Sequence, residues 1–95
     1  MPKVLEVHPK VVNQPDAVEV LRCWVSGGTF HVSLRHDAWS DPAAWGIALA
    51  DLARHVARAR ASSEIAARDV LNRVREGFDA ELDSPTDEPT GHFLG

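Results

Sequence analysis

Cysteine is almost absent from this 95-residue chain, where Cys23 stands alone. That excludes an intrachain disulfide and a cysteine-rich zinc site. Long apolar runs are missing as well: uncharged stretches reach only about a dozen residues, whereas a membrane-spanning helix needs about 20. The opening MPKVLEVHPK holds no apolar run of signal-peptide length, so a reducing, cytoplasmic setting without membrane attachment is expected. Basic residues are in deficit, ten Lys/Arg against fourteen Asp/Glu for a formal net charge of −4. A general nucleic-acid binder carries the opposite balance. No internal repeat is visible.

What is present is ordinary for a folded domain, 44% apolar and 25% charged. The length suits one domain. Folding at this size removes only about 60% of the unfolded chain's surface from water, so the core is expected to be thin and open to completion by a second copy. Charge is uneven. Residues 1–60 carry seven Lys/Arg against six Asp/Glu, and residues 61–95 three against eight. The acidic second half is therefore expected to lie against basic groups of the first.

Along the chain, Pro2, Pro9 and Pro15 mark residues 1–16 as an extended arm. The run AVEVLRCWVSGGTFHVSLR then places two segments rich in Val, Trp, Phe and Thr around Gly27-Gly28, a pair suited to the positive φ angles of a type I′ hairpin turn. A turn there pairs Ser26 with Thr29, Val25 with Phe30, Cys23 with Val32 and Leu21 with Leu34. The last six of these side chains are apolar and share one face. The other face carries Val20, Arg22, Trp24, His31, Ser33 and Arg35.

The stretch HDAWSDPAAWG raises a sharper choice, because its His, Asp and Trp residues could line an active site. The simpler reading is a strand-to-helix junction. Pro42 fits the first helical position and bars Asp41 from the helix, which leaves Asp41 to cap it. Trp45, Ala48, Leu49, Leu52, Ala53 and Val56 then form an apolar stripe to about Ala61. Ser62-Ser63 breaks the run, and Ala67, Val70, Leu71, Val74, Phe78 and Leu82 form a second stripe that ends before Pro85. Gly77 beside that stripe points to close packing. One continuous helix is the alternative to a helical hairpin, which is preferred because so small a domain offers nothing for a long rod to pack on. Residues 17–83 thus form a single α+β domain, and the acidic, proline-containing segment 84–95 is expected to be disordered.

Chemistry finds little support. His31, His36 and His55 are weak candidate metal ligands, and Asp51 stands four residues before His55, but no established metal-binding spacing is present. Ser33 and His31 share a strand face without a nucleophile elbow or an acid to orient the histidine. Cys23, on the apolar face, reads as filler rather than as a nucleophile. Asp79, Glu81 and Asp83 read as a solvated helix end. Arg54 and Arg58 could bind an anion, though pairing with the acidic second helix is the simpler account. No cofactor is indicated. The surface that stands out is the Trp24 face, where Val20, Arg22, Trp24, His31 and Arg35 have the composition of a protein interface.

The run AVEVLRCWVSGGTFHVSLRHDAWSDPAAWGIALADLARHVARA, followed by REGFDAEL and PTDEPTG, resembles a family of short bacterial proteins catalogued as a domain of unknown function, the one numbered 5076. The likeness spans residues 15–91, with DPAAWG and ADLARHVA its most specific parts. It implies a self-contained fold and brings no activity, cofactor or catalytic residue.

The expected architecture is α+β, an antiparallel β-hairpin packed under two amphipathic helices, with the N-terminal arm or a second protomer as candidates to widen the sheet. The leading functional expectation is a non-enzymatic protein-interaction module, homodimeric through the sheet and open to an unidentified protein partner. A small-ligand or metal-binding protein using histidines near Trp24 is the alternative, and a small hydrolase is third.

Overall fold

The computed structural model describes residues 1–86 and the backbone of residues 90–93. Two strands, β1 (Leu21–Ser26) and β2 (Thr29–Leu34), precede two helices, α1 (Ala43–Arg60) and α2 (Glu64–Asp83), and a short strand β3 (Thr90–Phe93) follows. The class is α+β.

The hairpin has the register its sequence predicts, Leu21 opposite Leu34, Cys23 opposite Val32, Val25 opposite Phe30 and Ser26 opposite Thr29. Gly27 and Gly28 both take positive φ, 59° and 75°, which an L-side chain resists and a type I′ turn demands. A further bond from the Arg35 amide to the Val20 carbonyl, 2.9 Å, lengthens the ladder by one step. Within the chain the N-terminal arm forms no strand, and a third strand widens the sheet instead. It is β3, which runs parallel to β2 with His31 opposite Thr90 and Leu34 opposite Phe93, so β2 is central in the order β1-β2-β3. The strand falls inside 84–95, read from sequence as disordered. Residues 87–89 and 94–95 of that segment lie outside the described residues.

The junction before α1 follows its local chemistry. Asp41 Oδ1 accepts a hydrogen bond from the Ala43 amide at 3.0 Å, and Pro42 already has helical dihedrals, φ −55° and ψ −23°. At the other end Ala61 turns extended, φ −104° and ψ 149°. Ser63 then caps α2, its hydroxyl accepting from the Ala66 amide at 3.1 Å. The two serines thus break the run into a helical hairpin.

Packing departs from expectation. The helices contact each other, and among the described elements no strand contacts either helix, so the sheet is not packed under them. Only Ala57, 2% exposed, is fully buried among the described residues. The reason lies in the rotation of α1. Gly46, Ala50, Ala53 and Ala57 recur at i, i+4, i+7 and i+11, and this small-residue side is the one turned toward α2, where it shares clefts with Ala67, Leu71, Val74 and Phe78. The bulky stripe expected to enter the core, Leu49, Leu52 and Val56, stays 43%, 49% and 46% exposed. Gly77 is not a close-packing site either, since a Cβ there meets nothing within 4 Å.

Charges pair locally. Arg54 bonds Asp51 at 3.2 Å, Arg73 bonds Glu76 at 2.6 Å and Arg22 bonds Glu19, all three residues apart. Among the described residues no ion pair joins the basic first half to the acidic second half, and Arg54 is held within its own helix.

Candidate interaction surfaces

The sheet brings together the residues singled out on the Trp24 side. Trp24 lies opposite His31 and Arg22 opposite Ser33, and the Arg35 amide reaches the Val20 carbonyl. Val20, Trp24 and His31 are half-buried, while Arg22 and Arg35 are exposed. The opposite face carries the hairpin's apolar set. Cys23 is exposed, and Val25 and Phe30 remain 78% and 48% exposed. Water loss around the Cys23 sulfur still pushes its thiol above the ordinary value, which lowers its thiolate fraction at neutral pH.

Beside β1 the N-terminal arm bounds an open hollow of about 750 Å³, with Val4 and Val7 on the arm side and Val18, Leu21, Arg22, Cys23 and Trp24 on the other. Valines of this arm are exposed, although its sequence offers more apolar residues than a free linker needs.

The histidines separate by element. His31 sits on β2 and His36 in the turn after it, and His55 is on α1 with its Nδ1 2.8 Å from the Asp51 carbonyl. Among the described residues no group of three His, Cys, Asp or Glu side chains could hold a metal ion. His36 does have a structural part, because its carbonyl accepts the Trp45 indole N–H at 3.2 Å. Trp39 meets Trp45 edge to face, with ring centroids 5.1 Å apart and planes at 79°, a favoured aromatic geometry. The crowded stretch around Pro42 is therefore a braced corner.

Between α1 and α2 runs a groove of about 230 Å³, lined by Gly46, Leu49, Ala53, Leu71, Val74 and Phe78 together with the two arginines Arg54 and Arg75. The pattern of hydropathy pointed to these helices but missed the groove, because Gly46 and Ala50 carry little apolar weight. At the end of α2, Glu81 accepts two 2.7 Å bonds from the Thr86 hydroxyl and amide. The hydroxyl bond, then the amide bond, holds its carboxyl below the ordinary range. Among the described residues no helix is long and apolar enough to cross a membrane.

A solved structure from the photosynthetic bacterium Rhodopseudomonas palustrus CGA009, described as a "putative pyruvate dehydrogenase", is 40% identical to this chain. The similarity covers 100% of this chain and 98% of that one, with a TM-score of 0.76. No curated protein matches. A family model described as Domain of unknown function (DUF5076) matches residues 4–86, and the chain belongs to that family.

Proposed function

We propose that this protein acts by association rather than catalysis, as a homodimeric protein-interaction module. One observation carries the reading. The chain exposes 8364 Å², whereas a folded monomer of 10.4 kDa exposes about 5400 Å². Part of this excess, roughly 3000 Å² per chain, belongs to the exposed residues 1–16, and the rest is ample for an obligate dimer, which removes about 2000–5000 Å² from water over both partners, or about half of that per chain. Its dimensions agree: the radius of gyration is 15.2 Å, against about 12.4 Å for a self-contained domain of this length. Large apolar side chains stand in water on both layers, Val25 and Phe30 on the sheet and Leu52 and Phe78 on the helices, and exposed apolar patches mark interaction sites.

Native mass spectrometry of untagged protein, purified from its own host without chelators, tests the proposal. A dimer mass at micromolar concentration is expected, and a monomer that persists there overturns it. The hollow beside the N-terminal arm favours a second reading, a bound small molecule, which the same spectrum reports as a reproducible added mass. Pyruvate, the compound in the name of the similar structure, serves as a direct probe. On the interaction reading it leaves the melting temperature unchanged, because only a ligand that prefers the native state raises it.

A further inference from the structure

We propose that the two copies exchange layers, the apolar face of one β-hairpin lying on the groove between α1 and α2 of the other copy, and reciprocally about a twofold axis. This rests on the homodimer reading and specifies its interface. The chain carries two apolar surfaces of complementary kind. One is a sheet face bearing Cys23, Val25 and Phe30, and the other is a groove with Leu49 and Phe78 at 43% and 50% exposure. Helix on sheet is a standard way to bury both, yet within one chain the two surfaces do not meet.

The corner between them keeps them apart. Trp45 is tied to the His36 carbonyl and braced by Trp39, and Asp41 caps the helix just beyond. After α2 the chain returns to the sheet as β3. Swinging the helices onto their own sheet would strain these attachments, whereas a second copy can supply the missing layer with all of them intact. The groove has room, since a Cβ on Gly46 meets nothing within 4 Å. The sheet brings no charge of its own, because the paired residues on this face, Leu21, Cys23, Val25, Phe30, Val32 and Leu34, are all uncharged, and of the two arginines lining the groove Arg54 is already paired with Asp51. A twofold arrangement makes the contact twice and closes without leaving a surface for a third copy.

The native cysteine supplies the test. Wild-type chain, carrying Cys23 alone, is co-folded with an equal amount of a C23S/A50C double variant, which carries its thiol in the groove. The mixture is treated with a short bismaleimide, and products are sorted by intact mass. A cross-linked species containing one chain of each kind is expected, since Cys23 of one copy then faces position 50 of the other. A dimer by native mass that yields no mixed cross-link overturns layer exchange and leaves the homodimer standing. A monomer by native mass overturns both. Two further variants separate the sheet faces. Phe30→Asp should convert the dimer to monomer, whereas Trp24→Ala, on the opposite face, should keep the dimer mass. The reverse result overturns the assignment.

Discussion

The two hairpins of this molecule, one of strands and one of helices, are built by similar local rules and end in different states. The β-hairpin is set by paired glycines and an apolar face of six residues, and its turn and register follow. The α-hairpin is set by Asp41 and Ser63 as caps, with two serines between its helices. The helices find a partner in each other through small residues, and Ala57 is buried there. The strands pair through their backbones, yet their apolar face leaves Val25 and Phe30 in water. Forming an element and burying its side chains are therefore separable steps. Patterning accomplishes the first, while the second needs a surface that the chain must bring from elsewhere.

The contrast can be broken by perturbing one hairpin and watching both through amide hydrogen exchange. Ala57→Leu forces a large side chain into the one fully buried position among the described residues and should cost about 1–3 kcal/mol by overpacking. In dilute, dissociated protein the helical amides should lose protection and the strand amides keep theirs, because strands and helices share no contact. If the layers are exchanged, both sets should fall together at dimer concentrations. Gly28→Ala is the counterpart in the strands. With φ at +75° the new side chain should cost about 1–2 kcal/mol, read as a lower urea midpoint. Gly77→Ala reverses the sign. An interior helix glycine whose missing Cβ faces open space should yield about 1 kcal/mol of added stability when replaced.

The smallest effect is on pH dependence. Because Glu81 is held below its ordinary carboxyl range by Thr86, its bond contributes stability above that range and loses it as pH falls through the lowered value. In a carboxyl-carbon NMR titration its midpoint should lie below the ordinary glutamate value. Thr86→Ala should move it upward.

Much of this arrangement is legible in the amino acids. Gly27-Gly28 with mirrored apolar alternation fixes a register that one residue of slip would spoil, and Asp41-Pro42 announces a helix start by steric exclusion. Ser62-Ser63 likewise separates the helices. What escapes is tertiary. The side of α1 turned toward α2 is the small one, Gly46, Ala50, Ala53 and Ala57, of which Ala57 is buried and Gly46 and Ala50 stay exposed, and small residues leave almost no trace in a hydropathy pattern. Strand β3 escapes because four residues after an acidic, proline-bearing stretch carry little β signal, and its pairing depends on a partner strand far away in sequence. The Trp24 surface was visible as a face because strand alternation is strict.

The late return of β3 to β2 has a consequence for the order of folding. The β1–β2 pair is local and can form in about 1–10 μs, long before synthesis reaches Thr90. During that interval β2 presents a bare backbone edge, and its parallel partner becomes available only after both helices have emerged. Joining them closes a long loop, a slow step in chains rich in distant contacts. A ribosome-bound chain at that stage offers an open edge for unwanted strand pairing, and the arrival of β3 ends the exposure.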